Sequence, residues 1–136
     1  MPERKTLERA REAKREGKAP TTQAGEFVRE EIDHVREGKH GARSAKQAIA
    51  IGLAKARRAG IDLKPPKKGQ ASAQTRKSAA RDYQAGHAAA HKPPSAKRSL
   101  AASRALQREP TRAASHKALS THARSAARRR RRQPAE

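Results

Sequence analysis

The chain lacks cysteine and tryptophan, and it holds one phenylalanine and one tyrosine among its 136 residues. Without cysteine, disulfide bonds and thiolate metal sites are excluded. Apolar residues make up 33% of the chain, against roughly 45–50% in ordinary globular domains. A chain with so little apolar surface cannot offset the entropy of ordering all its residues. We therefore expect only part of it to fold stably on its own.

Long apolar segments are also missing. No stretch approaches the ~20 apolar residues of a membrane span, and no basic segment carries the apolar stripe that holds a helix at a membrane surface. The first residues, Met-Pro-Glu-Arg-Lys-Thr, contain no apolar core of a secretory signal. These absences predict no membrane partner and a cytoplasmic location.

Positive charge is abundant and unevenly distributed. Lys and Arg number 34 against 13 Asp and Glu, which gives a formal net charge of +21. Residues 1–63 carry +5 of this excess and residues 64–136 carry +16. So large a charge attracts polyanions over a long range. This pattern predicts a DNA-binding protein without sequence specificity, nucleoid-associated and histone-like. An RNA- or ribosome-associated protein is the alternative, because its phosphate electrostatics would be the same.

A proline- and lysine-rich stretch divides the chain. Lys64-Pro65-Pro66-Lys67-Lys68-Gly69 is typical of a stiff, extended linker. Eleven large apolar residues precede this stretch and four follow it, so the core is expected before it. The predicted organisation is a charged N-terminal helix or arm at 1–20, a helical hairpin domain at 21–63, the linker at 64–70, and an Ala/Arg/Lys-rich basic tail at 71–136.

Helical periodicity identifies the hairpin. From Thr22 to Glu37, apolar residues recur on one face at 100° per residue, and a second helix from Ser44 to Ala59 has its own apolar stripe. The predicted core residues are Phe27, Val28, Ile32, Val35, Ile49 and Leu53. A unit with so small a core is marginal as a monomer, so a homodimer through the hairpin is also predicted.

Local signals mark the ends of the second hairpin helix. Ser44 is a natural N-cap, and Gln47 three residues later completes a capping-box pattern. Gly60 provides the C-terminal stop. Gly52 would allow the close approach of another backbone.

The remaining helices are predicted to be less stable. The segment from Glu3 to Glu16 has Leu7 as its one large apolar residue, which favours a solvated, fraying helix. In the basic tail, Ser95 and Thr111 stand where N-caps belong, but short Ala-rich helices are marginal in water and like charges oppose them. The predicted fold is therefore all-α: a helical hairpin of two to three helices, followed by a largely disordered or marginally helical basic tail.

Acidic residues of the first hairpin helix lie opposite its apolar stripe and are predicted to be exposed. They are Glu26, Glu30, Asp33 and Glu37. This surface cannot face a polyanion. It supports a third possibility, a protein-interaction adaptor that recruits a partner through the hairpin.

Phosphate contacts are assigned to basic side chains of the second hairpin helix, the linker and the tail, because guanidinium and ammonium groups bind phosphate oxygens. The predicted nucleic-acid-binding residues are Arg43, Lys46, Lys55, Arg57, Arg58, Lys67, Lys68, Arg76, Lys77, Lys97, Arg98, Arg104, Arg124, Arg128, Arg129, Arg130, Arg131 and Arg132.

No catalytic constellation is evident, and the protein is predicted not to be an enzyme. His87 and His91 are spaced i,i+4, which can place two imidazoles on one helix face. No Cys, Asp or Glu lies near enough in sequence to complete a zinc set. The histidines are therefore interpreted as incidental polar residues, and no metal or cofactor is predicted.

Two stretches resemble the signature of a family. Gly25-Glu26-Phe27-Val28-Arg29-Glu30-Glu31 and Arg43-Ser44-Ala45-Lys46-Gln47-Ala48-Ile49-Ala50-Ile51-Gly52-Leu53 are similar to a domain found in small, basic, uncharacterised bacterial proteins. The resemblance covers about residues 1–63 and implies a bacterial source and a helical unit. The second half is similar in composition to bacterial linker-histone-like tails, although it uses 12 Arg against 7 Lys.

Overall fold

A computed structural model describes residues 2–88 and 95–132. Its helices are α1 (Arg4–Arg15), α2 (Pro20–Arg36), α3 (Ala45–Arg58), α4 (Ala73–His87), α5 (Ala96–Gln107) and α6 (His116–Arg132), with a 3₁₀ turn at Arg112–Ala114. No strand is present in these residues, so the all-α class is confirmed. The prediction of a largely disordered tail is wrong, because α4, α5 and α6 all lie beyond the linker.

The helical hairpin is formed by α2 and α3, which pack closely against each other. A Cβ on Gly52 would lie 2.6 Å from Val28 Cα, so the close backbone approach at this glycine is confirmed. Phe27 and Val35 are fully buried. The other predicted core residues, Val28, Ile32, Ile49 and Leu53, are half-buried.

The ends of the hairpin helices follow the local signals. Ser44 Oγ accepts a hydrogen bond from the Gln47 backbone N–H at 3.1 Å, and the Gln47 side chain accepts one from the Arg43 N–H. Gly38 after α2 and Gly60 after α3 have φ of +77° and +94°, a left-handed conformation that favours glycine. Both helices therefore end where the sequence predicts.

The N-terminal helix is not a solvated arm. In α1, Thr6, Ala10 and Ala13 are buried, and α1 packs against α2. Ala10 joins a core cluster around Phe27. The prediction of a fraying helix was wrong because it counted only large apolar residues, whereas α1 packs through small side chains. Its partner on α2 is an equally small residue, Ala24.

The first helix beyond the linker, α4, packs against α3. The two helices approach so closely that a Cβ on Gly86 would lie 1.8 Å from the Arg57 carbonyl oxygen. Ser72 caps α4 by accepting a hydrogen bond from the Thr75 N–H at 3.2 Å. Tertiary contact supplies the stability that an isolated Ala-rich helix lacks. The helix α4 therefore covers one side of α3, a contact that the sequence analysis did not predict.

The 3₁₀ turn is part of the core. Ala113 and Ala114 are buried in a cluster with Val35, Ala42 and Ala48. Because its side chains are small, this segment lies close enough to the α2–α3 turn for backbone hydrogen bonds between the two.

Backbone hydrogen bonds hold the same segment in place. The Gly41 N–H donates to the Leu106 carbonyl at 2.8 Å, and the Ala42 N–H donates to the Pro110 carbonyl at 3.0 Å. Arg36 Nε donates to the Ala114 carbonyl at 2.8 Å. The chain beyond the linker is therefore fastened to the hairpin at two places, through α4 and through residues 106–114.

Two of the predicted caps differ in outcome. Ser95 caps α5, accepting from the Arg98 N–H at 3.2 Å. Thr111 precedes the 3₁₀ turn without a side-chain cap, and Ser115 takes that role for α6, accepting from the Ala118 N–H at 3.1 Å. The cap lies four residues later than predicted because Ala113 and Ala114 are drawn into the core before α6 begins.

The helix α5 stands apart, since it packs against no other helix of the described residues. Its side chains are exposed apart from Leu106, and Leu100 is 52% exposed. No helix within residues 2–88 and 95–132 has the length and apolar character needed to cross a membrane.

Candidate nucleic-acid interface

The last helix has two different faces. At 100° per residue, Leu119, His122 and Ala126 fall on one side of α6, and all three are half-buried. The helix α6 contacts the 3₁₀ turn and α3. The opposite side carries what we call the α6 basic row, which consists of Lys117, Arg124, Arg128 and Arg131, all exposed.

The α6 basic row is straight and long. Its members are spaced seven, four and three residues apart, which keeps their directions within about 60° of one another. At 1.5 Å per residue the row extends about 21 Å along the helix. The side opposite the row is half-buried, and the remaining basic residues of α6, Arg129, Arg130 and Arg132, lie at other angles around the helix.

The chain beyond residue 94 has almost no negative charge to neutralise this row. We call residues 95–132 the C-terminal arm. The arm contains 12 basic residues and a single acidic residue, Glu109. In contrast, the ion pairs of the described residues all lie within residues 3–82. The arm therefore carries a net charge of +11 over 38 residues, whereas residues 1–88 carry +10 over more than twice that length.

Most of the predicted nucleic-acid-binding residues are exposed and form no ion pair with a described residue. They are Arg43, Lys46, Lys67, Lys68, Lys77, Lys97, Arg98, Arg104, Arg124, Arg128, Arg129, Arg130, Arg131 and Arg132. Arg76 is half-buried. Lys117 was not among the predicted residues, and only the position of the α6 packing face shows that it belongs with them.

Three basic residues of α3 are instead bound within the fold. The Lys55 ammonium donates to the buried Glu31 carboxylate. Arg57 is buried, and Arg58 Nε donates to Asp82 Oδ1 at 2.7 Å. These contacts remove Lys55 and Arg57 from a phosphate-binding surface, whereas the Arg58 side chain stays 64% exposed in its ion pair.

The contacts of Arg57 explain its burial. Its guanidinium donates to the Leu63 carbonyl at 3.0 Å and to the Lys64 carbonyl at 3.4 Å. Burial lowers the pKa of Arg57, and the two carbonyl oxygens satisfy part of its hydrogen-bonding capacity. The residue holds the chain where it leaves α3.

The acidic side of α2 is not the exposed surface that the sequence predicts. Glu30 is 5% exposed, and its carboxylate accepts a hydrogen bond from the Glu3 backbone N–H. All four acidic residues line a polar cavity shared with α1. The prediction is wrong for Glu30 because it left α1 in solvent, whereas Glu26 and Asp33 are half-buried and Glu37 is exposed. The adaptor alternative stays a prediction.

A buried polar cluster was missed at the α2–α3 turn. Glu31 is fully buried, and its Oε2 lies 3.1 Å from His40 Nε2. His34 Nε2 lies 3.1 Å from Glu3 Oε1, and this hydrogen bond lowers the pKa of Glu3. One signal was present in the sequence, because Glu31 stands four residues from both Phe27 and Val35 on the apolar stripe.

Tyr83 and His87 are engaged with each other and with the fold. Their rings stack with centroids 4.1 Å apart at 19°, and the Tyr83 hydroxyl donates to Asp62. That hydrogen bond raises the pKa of Tyr83. His91, the other member of the i,i+4 pair, lies outside the described residues.

Comparisons of the chain with protein-family models, curated proteins and solved structures found no match. The resemblance to the small basic bacterial family therefore stays a prediction.

Proposed function

We propose that the protein binds nucleic acid without sequence preference, with duplex DNA as the favoured partner, through its C-terminal arm. The observation that supports this proposal is the α6 basic row, which is exposed, forms no ion pair with a described residue, and lies opposite the half-buried side of its helix. The proposal replaces a disordered tail with a folded basic surface.

The dimensions of the row suit a phosphate backbone. Along one strand of B-DNA, phosphates are spaced about 3.4 Å apart along the helix axis, so a row of about 21 Å extends past roughly six of them. Arginine binds phosphate oxygens bidentately. Backbone binding is therefore the mode that the length and composition of the row favour.

The rest of the protein would act as a rigid body behind this surface. Helices α1–α4 form several of the ion pairs and most of the core, and residues 1–88 carry less net charge per residue than the arm. We propose a nucleoid-associated role in a bacterial cytoplasm, in which the body shields or bridges DNA and has no catalytic step. Bridging would be strengthened by the homodimer predicted from the sequence.

The test compares two variants with the same net charge. In the first, Lys117, Arg124, Arg128 and Arg131 are changed to Gln. In the control, four exposed basic residues of α1 and α2 that form no ion pair with a described residue are changed to Gln: Arg9, Arg11, Lys14 and Arg29. Binding to duplex DNA is measured at several salt concentrations.

Each lost phosphate contact makes the slope of log K against log salt shallower by about 0.9. The α6 variant should therefore lose about 3–4 units of slope, and the control should lose much less. Equal losses would mean that net charge alone drives binding and would refute the α6 interface. Competition with duplex RNA of the same sequence tests the alternative, because tighter RNA binding would reject DNA as the favoured partner.

A further inference from the structure

The buried cluster at the α2–α3 turn brings together three potential metal ligands. Glu31 and His34 are one turn apart on α2, and His40 follows in the turn that Gly38 opens. One ligand atom from each of Glu31, His34 and His40 lies within 4.8 Å of the other two. We call these three residues the turn cluster.

The hydrogen bonding of His40 determines which of its nitrogens faces the cluster. Its Nδ1 lies 2.8 Å from the Gly41 carbonyl oxygen. A carbonyl can only accept, so Nδ1 carries the proton and donates it. In the neutral ring, Nε2 then presents a lone pair toward Glu31 Oε2, 3.1 Å away. In that form of the ring, the Nε2 and Oε2 electron pairs face each other beside the buried Glu31 side chain.

Only one of the two Glu31 carboxylate oxygens accepts a hydrogen bond from a described residue. Its Oε1 accepts from Lys55, while its Oε2 is buried without a hydrogen-bond donor among the described residues. An unpaired buried oxygen of this kind is costly. A cation placed between Oε2 and the imidazole nitrogens would satisfy all of these lone pairs at once.

We propose that the turn cluster binds a divalent transition-metal ion of the zinc class through Glu31 Oε2, His40 Nε2 and a ring nitrogen of His34. Two imidazoles and one carboxylate form a known zinc donor set with a fourth position open. At metal–ligand distances of about 2.0–2.1 Å, tetrahedral ligand atoms are about 3.3 Å apart, close to the 3.1 Å separation of His40 Nε2 and Glu31 Oε2. The His40 Nδ1–H bond to a carbonyl is the second-shell contact typical of a ligating histidine.

The surroundings supply additional negative charge. Glu3, Glu30 and His34 form a second group of ligand atoms within 4.8 Å of one another. Glu30 Oε2 is also buried without a hydrogen-bond donor among the described residues. These carboxylates add negative charge beside His34. Imidazole ligands favour zinc-class ions over Mg²⁺ or Ca²⁺, which prefer oxygen ligands.

The site would stabilise the place where the C-terminal arm is attached. His40 precedes Gly41, whose N–H donates to the Leu106 carbonyl. A metal ion bound by α2 and the turn would hold this backbone in the position that the arm requires. Metal binding should therefore raise the Tm of the whole chain, because a ligand that binds only the folded state stabilises it.

The experiment is a calorimetric titration of the untagged full chain with Zn²⁺ after treatment with a chelator. We expect one high-affinity ion per chain and no competition from Mg²⁺. His40→Ala should weaken binding by at least tenfold. His116→Ala, at an exposed position outside the cluster, should leave it unchanged, and circular dichroism monitors folding. No high-affinity ion in the wild type, or unchanged affinity in a folded His40→Ala variant, would overturn the proposal.

Cobalt provides a measurement that needs no variant. Co²⁺ in a four- or five-coordinate nitrogen and oxygen site absorbs visible light strongly, whereas octahedral, water-bound Co²⁺ absorbs weakly. A strong band that saturates at one equivalent in the wild type, and that Zn²⁺ displaces, would support the turn cluster. A weak octahedral spectrum at that ratio would overturn it, even if His40→Ala fails to fold.

Discussion

Replacing Lys55 by methionine removes one ammonium group from a buried ion pair. The Glu31 side chain is 1% exposed and the Lys55 side chain 29% exposed, so the carboxylate would stay buried without its donor. Removing one partner of a buried pair costs roughly 3–5 kcal/mol. We expect a loss of about 3 kcal/mol, at the lower end, because Lys55 itself is partly exposed to solvent.

Urea denaturation followed by circular dichroism measures this loss. Small proteins have unfolding free energies of about 5–15 kcal/mol, so the change is a large part of the total. With an m value of about 2 kcal/mol per molar, the midpoint should fall by about 1.5 M. The double variant Glu31→Leu with Lys55→Met should recover most of the loss, because apolar replacement of a whole buried pair is often neutral or stabilising.

An unchanged stability of Lys55→Met would instead support the phosphate-binding role that the sequence predicts for Lys55. If Lys55→Met leaves the urea midpoint unchanged but makes the salt dependence of DNA binding shallower by about 0.9, the ammonium contacts phosphate and the buried pair is not formed. A double variant less stable than Lys55→Met alone would also refute the reasoning.

Three further predictions concern other contacts of the fold. Gly86→Ala should lower the unfolding free energy, measured in urea, by about 1–3 kcal/mol, because its Cβ would lie 1.8 Å from a backbone oxygen at the end of α3. The control Gly25→Ala, whose Cβ would have no atom within 4 Å, should raise the unfolding free energy by up to about 1 kcal/mol. Equal effects of the two substitutions would contradict the close approach at Gly86. Ser115→Ala should cost about 1 kcal/mol and speed amide exchange at the start of α6, whereas Thr111→Ala, which removes no cap, should not; equal exchange rates would argue against the cap. The pKa of Tyr83 is raised above the ordinary value of 10.0 by its hydrogen bond to a carboxylate, so its contribution to stability is complete below about pH 10 and lost as the pH rises through the folded-state pKa. Ultraviolet titration of this tyrosine in the folded and urea-unfolded chain measures the difference, and equal midpoints would exclude the bond.

The hairpin could be predicted from the sequence because large apolar and polar residues alternate there at helical spacing. Large apolar residues recur at helical spacing between polar ones, and Ser44, Gly52 and Gly60 mark a cap, a close contact and an end. Helices α1 and α4 have few large apolar residues, so their buried faces could not be identified in this way. Alanine is a strong helix former that also packs in cores, so its positions do not distinguish a buried face from a solvated one.

The candidate interface was predicted in composition but not in arrangement. Charge identified the arm, yet repulsion among its cations was expected to keep it unfolded. In the structure Ala113 and Ala114 anchor it, and four of the seven Lys and Arg residues of α6 lie on one side of the helix. Spacing alone could not show that Lys55 and Arg57 turn inward, because their acceptors come from other elements of the fold.

The bond from Arg36 to the Ala114 carbonyl joins residues 78 positions apart, and this separation has a consequence during synthesis. Contacts between distant residues form late, and N-terminal segments fold first as a chain emerges from the ribosome. During synthesis, Val35 in the unit formed by α1–α3 would therefore stay exposed until the 3₁₀ turn has been made. A chain cut short before that turn exposes its core to proteases, so quality control would favour molecules that carry the basic arm.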